Sequence, residues 1–297
     1  MKALLSPSCL AFFLVLTFSV SAQAEFVQTT TCNPTGPPRC APGEEPLPVH
    51  WRKLEVYYYI HDQGSQDLHP GTPEITDELR DSVIESFDTW NDQTCSNFTM
   101  LYAGDTPDAP IGTDGGRVAI ENLTNVVVWR DGQWPHPGYG AVALTTVTFR
   151  PSSGEILAAD IEFNTADYTF TDLEGTEGTV IDLRNTLTHE AGHFLGLDHT
   201  GNPQATMFAT APPGEISKRT LHPVDISGLC YIYPLDLEFE DPPDADAPED
   251  DTGRRGCFRS CSTIPGDDDL PPFALFITLI GGFLIFRRFQ GSPSLMP

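Results

Sequence analysis

The most constraining feature of this chain is the string His-Glu-Ala-Gly-His-Phe-Leu-Gly-Leu-Asp-His, which runs from His189 to His199. Histidines four positions apart, such as His189 and His193, project from the same face of a helix and can bind one metal ion. Gly196 can adopt the left-handed conformation that ends a helix. The returning chain then brings His199 to a third ligand position. We therefore expect a helix over this string and a sharp turn after it.

The ligand chemistry of this string favours a catalytic zinc ion. Three neutral imidazoles suit Zn²⁺ and leave a fourth tetrahedral position open for water. Glu190 is too far around the helix to be a fourth ligand. It can instead take a proton from a zinc-bound water, whose pKa the metal lowers to about 7. The alternative, ordinary surface or core histidines, does not account for the full spacing.

The N-terminal sequence predicts that the protein is secreted. Lys2, an apolar run from Leu10 to Val20 and the small-residue site Ala22-Gln23-Ala24 are typical of a signal peptide over residues 1–24. About 11 apolar residues are too few to span a bilayer. The net charge of -26 argues against nucleic acid as a partner, because such a surface repels phosphates. We expect a secreted or extracellular protein.

Six of the seven cysteines remain after Cys9 leaves with the signal peptide. An even number in an exported protein indicates disulfides, although the sequence alone does not fix their pairing. From proximity and segment we favour Cys32–Cys40, Cys95–Cys230 and Cys257–Cys261.

Hydrophobic periodicity gives a coarse map of the elements. Residues 25–48, rich in Thr, Pro and Gly, are predicted to be extended. An apolar stripe from Ile75 to Trp90 predicts an amphipathic helix, with Thr72-Pro73 as its start signal. Two more helices are predicted at Asp182–Gly196 and Pro223–Tyr231. Short β-branched and aromatic runs predict strands at Leu54–Ile60, Phe98–Tyr102, Val118–Ile120, Val126–Trp129, Ala141–Phe149 and Ile156–Phe163.

Together with the zinc string, Met207 in Ala-Thr-Met-Phe and the segment from Leu221 to Tyr233 resemble the matrixin-like metzincins. The resemblance covers residues 49–234. It implies an α/β (α+β) fold: a twisted, mostly parallel five-stranded sheet with an antiparallel edge strand, an active-site helix and a C-terminal helix. It also implies a zinc-dependent endopeptidase of extracellular proteins, in which Met207 lies beneath the metal.

The resemblance also places the substrate. A protein or peptide substrate is expected to lie extended and add a strand to a sheet edge, for which Gly140 to Thr146 is the candidate. The cleft residues proposed there are Gly140, Ala141, Val142, Ala143 and Leu144. The specificity wall is expected between Thr210 and Gly214, including Pro212. The rival interpretation is a surface binding or adhesion module with structural zinc, against which Glu190 argues.

Several residues depart from the family pattern. Thr200 follows the third histidine where matrixins usually have Ser, and only His136 is available for a second zinc between residues 112 and 165. Asp- and Gly-rich turns leave room for Ca²⁺, but no segment matches a calcium loop. Pro38-Arg39-Cys40 resembles the inhibitory cysteine segment of matrixin propeptides. A disulfide is favoured there over a zinc-ligating switch.

The C-terminal part is predicted to be an appendage. Residues 235–256 form an acidic, Pro-rich linker that cannot bury enough apolar surface to fold. Residues 257–297 combine a cysteine motif, a short apolar helix within Phe273–Phe286 and the pair Arg287-Arg288. This arrangement resembles the surface-sorting tail of myxobacterial proteins, which implies a membrane as a second partner. No feature of the sequence sets an oligomeric state.

Overall fold

The computed structural model describes residues 25–32, 39–66, 68, 70–72, 74–112, 118–136, 140–172 and 180–239, together with the backbone of 274–280. Its α-helices are α1 (Asp77–Asn91), α2 (Leu183–Phe194) and α3 (Pro223–Ile232). Its strands are β1 (Val27–Gln28), β2 (Glu55–His61), β3 (Thr99–Thr106), β4 (Val126–Trp129), β5 (Ala141–Phe149), β6 (Ile156–Phe163), β7 (Phe170–Thr171), β8 (Ile181–Asp182), β9 (Leu197–Asp198) and β10 (Ala274–Ile280).

The main sheet has the strand order β10-β5-β6-β4-β2-β3. Strands β2, β3, β4 and β6 pair in parallel, and β5 pairs antiparallel with β6. These five strands are the mostly parallel sheet with an antiparallel edge strand that the family resemblance implied. A sixth strand, β10, pairs antiparallel with the outer edge of β5. The position of β5 matters most for the site, because α2 packs against it.

The apolar stripe of helix α1 is buried as predicted, but the helix begins later than predicted. Leu79, Val83 and Phe87 are fully buried in the main core. The helix begins after Thr76, whose side chain accepts a hydrogen bond from the backbone N–H of Leu79. The start signal at Thr72-Pro73 was therefore wrong, because Thr76 caps the helix in the usual N-cap manner.

Strands β4, β5 and β6 have the predicted bounds. The predicted strand at Val118–Ile120 is wrong: residues Ile120–Asn122 form a 3-10 turn instead. Ile120 is exposed, so this short segment has no buried face to hold it in a sheet.

The predicted apolar helix within residues 273–286 is also wrong where the chain is described, because residues 274–280 form β10. Phe, Ile and Thr favour strands, and the edge of β5 offers unpaired backbone groups. Residues 1–24, 240–273 and 281–297, including Cys257, Cys261 and the arginine pair, lie outside the described residues. Among the helices that are described, none is long and apolar enough to cross a membrane.

Two of the predicted disulfides are confirmed. Cys32 bonds to Cys40 with a Cα–Cα distance of 4.8 Å, and Cys95 bonds to Cys230 at 5.5 Å. The second bond joins the segment after α1 to α3. Because Cys40 is bonded to Cys32, it is not available as a zinc-ligating switch in this structure.

The C-terminal end of α2 is held by two aromatic residues from distant parts of the chain. Trp51 donates from Nε1 to the carbonyl of Phe194 at 2.8 Å. The Tyr233 hydroxyl donates to the carbonyl of Leu195 at 2.7 Å and accepts the backbone N–H of Trp51 at 3.0 Å. These bonds satisfy carbonyls that a helix end leaves without an intrahelical partner.

The Tyr233 hydroxyl should therefore contribute measurably to stability. In Tyr233→Phe, one buried donor and one buried acceptor lose their partner, which costs about 1–3 kcal/mol of unfolding free energy. Urea denaturation of the zinc-loaded protein measures this difference. Tyr231→Phe is the matched control, since Tyr231 is 69% exposed. Equal stability of the two variants would contradict the assignment.

Candidate metal centre

The three histidines of the string converge on one point. His189 and His193 lie on the buried face of α2. Their Nε2 atoms lie 3.2 Å and 3.1 Å, respectively, from the Nε2 atom of His199. The sequence prediction that these residues come together is confirmed, and the cluster could hold a metal ion.

The turn that delivers His199 depends on Gly196. This residue has a φ of 108°, a conformation that L side chains rarely adopt. A Cβ atom at this position would also lie 2.6 Å from the carbonyl oxygen of Val49. Beyond Gly196, β9 pairs with β1, and His199 follows directly. Glycine is needed here for both reasons, and the predicted helix end is confirmed.

Backbone carbonyls orient two of the imidazoles. His189 Nδ1 lies 2.6 Å from the carbonyl oxygen of Thr206, and His193 Nδ1 lies 2.7 Å from that of Leu197. A carbonyl only accepts, so both Nδ1 atoms carry the proton and both Nε2 lone pairs face the cluster. Burial, then neighbouring imidazoles, hold the pKa of both rings well below the ordinary value. The rings are therefore neutral, as metal ligation requires.

The spacing of the nitrogens fits zinc. With Zn–N bonds of 2.0–2.1 Å, two ligands of a tetrahedral site are separated by about 3.3 Å. The observed separations of 3.1 Å and 3.2 Å to His199 are close to this value.

Elsewhere in the described residues, His136 contacts the carboxylate of Glu162 at 2.8 Å, and Arg130 contacts the other oxygen of Glu162. Calcium binding stays a prediction.

Glu190, which follows His189 in α2, is fully buried. Its Oε2 atom accepts a hydrogen bond of 2.5 Å from the Thr145 hydroxyl of β5. Its Oε1 atom has no hydrogen-bond partner among the described residues. Burial raises the pKa of Glu190 to about 8, and the Thr145 bond opposes the rise. A bound dication would oppose it further. The Thr145 hydrogen bond thus fixes one carboxylate oxygen, and the other oxygen is buried without a partner among the described residues.

Met207 packs against α2 at Gly192, and its position beneath the ligands stays a prediction. It is buried, and a Cβ atom on Gly192 would lie 2.2 Å from its sulfur. Only glycine therefore allows α2 to approach Met207 this closely. The Asp225 carboxylate on α3 accepts the backbone N–H groups of Thr206 and Met207 at 2.8 Å and 3.1 Å. Asp225 thereby fixes the segment whose carbonyl orients His189.

Lys218 is a buried cation that sequence reasoning missed. It is 2% exposed, its backbone N–H donates to the Asn185 side chain, and its ammonium donates to the carbonyl of Phe208. Burial lowers its pKa to about 8, and three carboxylates, those of Glu215, Glu190 and Asp225, oppose the shift. No pattern in the sequence marks Lys218, because its burial arises from long-range packing. Thr145 was missed as a partner of Glu190 for the same reason.

The predicted cleft residues fall in two places. Ala141, Val142, Ala143 and Leu144 are buried in the first half of β5, and Gly140 is exposed just before it. Thr210 and Pro212 are exposed in the loop after Met207. Thr145, which contacts Glu190, continues the same strand as the first group. The roles of all these cleft residues stay predictions.

Comparison with known proteins gives consistent matches. The chain is 28% identical to Metalloendoproteinase 2-MMP from Arabidopsis thaliana over 249 residues, which cover 82% of this chain and 58% of that protein. It is 28% identical to Matrix metalloproteinase-C from Caenorhabditis elegans over 231 residues, 73% of this chain and 35% of that protein. Karilysin from Tannerella forsythia is 26% identical over 159 residues, which cover 53% of this chain and 28% of karilysin.

The chain thus aligns with less than two thirds of the length of each of these relatives. The family model described as matrixin matches residues 50–234. This stretch contains the histidine cluster, Glu190, Met207 and α3, and it makes up more than half of the chain. The protein therefore belongs to the matrixin family.

Proposed function

We propose that this protein is a zinc-dependent endopeptidase that hydrolyses peptide bonds of extracellular proteins. His189, His193 and His199 would hold the metal, and Glu190 would act as the general base. The observation that carries the proposal is the Glu190 carboxylate, which is fully buried on the helix that carries His189 and His193 and has one oxygen bonded to Thr145. Burying a carboxylate is costly, and a structural site has no use for it.

The two carboxylate oxygens of Glu190 have different proposed roles, because only one of them is hydrogen-bonded to Thr145. When bound, zinc supplies a water ligand with a pKa near 7 and a Lewis acid for the scissile carbonyl. Oε1 of Glu190 accepts the proton of the attacking water and afterwards donates it to the leaving amine. Thr145 holds Oε2 and so keeps Oε1 directed at the reacting groups. The reaction needs no covalent bond between enzyme and substrate.

The substrate is proposed to bind along β5. Gly140 to Leu144 lie at the start of this strand, and Thr145, which positions Glu190, follows directly. An extended peptide that pairs with the backbone of β5 would therefore lie close to the general base. Thr210 and Pro212, in the exposed loop after Met207, are proposed to form the wall that selects a side chain.

Secretion and surface anchoring belong to the same proposal. Disulfides persist in oxidising compartments, and the described residues contain two of them. These bonds support an extracellular location, while attachment through the C-terminal tail stays a prediction. The rival function, an adhesion module with structural zinc, is disfavoured because structural zinc sites use four protein ligands. The cluster described here offers three.

Glu190→Gln should abolish most of the activity without loss of metal. The amide keeps the size of the side chain and can still accept the Thr145 bond, but it cannot take a proton. We expect kcat to fall by about 10²- to 10⁴-fold, with bound zinc unchanged by elemental analysis. Hydrolysis of a diverse quenched-peptide mixture measures the rate. Glu78→Gln, at an exposed position of α1, is the control. Undiminished cleavage by Glu190→Gln, or cleavage that persists after zinc chelation, would rule out the mechanism.

Thr145→Val tests the positioning role of the hydroxyl. The substitution preserves volume but removes the donor to Glu190. A hydrogen bond to a charged group contributes about 1.5–3 kcal/mol, so we expect kcat to fall by roughly 10- to 100-fold with little change in KM. Thr145→Ser should recover much of the loss.

The matched control is Thr148→Val on the same strand. Thr148 is also buried, and its hydroxyl has no hydrogen-bond partner among the described residues. Its replacement should leave kcat unchanged. Equal effects of the two valine variants would show that a buried hydroxyl matters only for packing.

A further inference from the structure

The C-terminal segment of this chain lies along the sheet edge nearest the metal centre. Strand β10 pairs antiparallel with β5, with Ala274 opposite Thr148 and Thr278 opposite Leu144. After an irregularity, Ile280 is opposite Ala141. The pairing therefore extends over almost the whole length of β5.

This pairing overlaps the stretch proposed for substrate. The substrate edge was assigned to residues 140–146, and β10 pairs with β5 between Ala141 and Thr148. Within it, Ile277 lies opposite Thr145, whose hydroxyl contacts Glu190. The backbone of β10 thus passes beside the residue that positions the general base.

Two strands cannot use the same edge of β5 at once. A strand has one set of outward N–H and C=O groups on each side, and β6 already occupies the other side of β5. A substrate that extends the sheet at β5 needs the groups that β10 uses. Occupation by β10 and occupation by substrate therefore exclude each other.

We propose that residues 274–280 are an intramolecular ligand of the peptide-binding edge, and that a substrate must displace them to reach Glu190. The proposal rests on the proposed function, because it takes β5 as the substrate strand. It also indicates the class of peptide that fits this edge. The sequence Ala-Leu-Phe-Ile-Thr-Leu-Ile carries no charge and is rich in apolar residues, so extended apolar segments should bind best.

The covalent connection strengthens this competition. Residues 240–273 join Phe239, the last described residue after α3, to β10. When extended, they can span roughly 100 Å, enough to reach β5 from any point on a domain of this size. A tethered ligand acts at an effective concentration of order millimolar. Even a weak strand pairing would then raise the apparent KM of a substrate in solution.

The test compares three forms of the full chain. The double variant Phe276→Pro, Ile277→Pro removes two consecutive N–H donors, one of which faces β5 whichever way the strand is turned. The control is Leu284→Pro, Ile285→Pro, which makes the same kind of change in the tail beyond β10. For an uncharged apolar quenched peptide, we expect KM to fall about tenfold in the first variant. The kcat should stay the same, and the control should match the unaltered chain.

A second measurement does not depend on catalysis. Each form also carries Glu190→Gln, and the probe is a fluorescent peptide of sequence Ala-Leu-Phe-Ile-Thr-Leu-Ile with a solubilising tag. We expect the probe to bind about tenfold more tightly when β10 contains the two prolines, and hydrogen exchange of the β5 amides to rise in that form without the probe.

The outcomes are distinguishable. Equal KM and equal probe affinity in the three forms would overturn the proposal. Tighter probe binding with an unchanged KM would overturn it too, since substrate would then not use this edge. Absence of hydrolysis in every form would instead remove the proposed function, while probe binding would still report whether β10 occupies β5.

Discussion

The structure depends on ending α2 abruptly at Gly196. Two ligands lie on the helix and the third lies three residues beyond this glycine, so the cluster forms only if the chain reverses there. The close approach of Val49, 2.6 Å from where a Cβ atom would be, leaves no room for another residue. Trp51 and Tyr233 then satisfy the carbonyls at the helix end. The start and the end of the domain thus meet at this one turn.

Buried hydrogen bonds then fix the orientation of the histidine cluster. The Asp225 carboxylate accepts the backbone N–H groups of Thr206 and Met207, and the carbonyl of Thr206 orients His189. Unpaired polar groups in the interior are costly. Removing one of these partners would therefore leave another buried polar group without its hydrogen bond. Glu190 departs from this pattern, because one of its oxygens is buried without a partner among the described residues. This oxygen is the atom to which the proposed function assigns the proton transfer.

The sequence predicted what local geometry determines. The spacing of the histidines implies a shared helix face, and Gly196 implies the turn; the structure confirms both. Strands β4, β5 and β6 followed from their β-branched runs. The contacts of Thr145 with Glu190 and the burial of Lys218 join residues far apart in the chain, so no spacing announces them. The tail segment was expected as a helix, whereas residues 274–280 pair as a strand with the outer edge of β5, a long-range contact that the apolar run alone does not predict.

Strand β5 belongs to the main sheet and also contacts Glu190 in the candidate metal centre. Its Thr145 hydroxyl donates to Glu190, while its outer edge pairs with β10. An edge open to a peptide substrate is equally open to any other strand, and such edges cause association unless something covers them. A peptidase that binds substrate by strand addition cannot remove this edge by closing the sheet or placing a proline in it. In the arrangement proposed above, β10 covers this edge in the absence of substrate, and its displacement makes the edge available to a peptide.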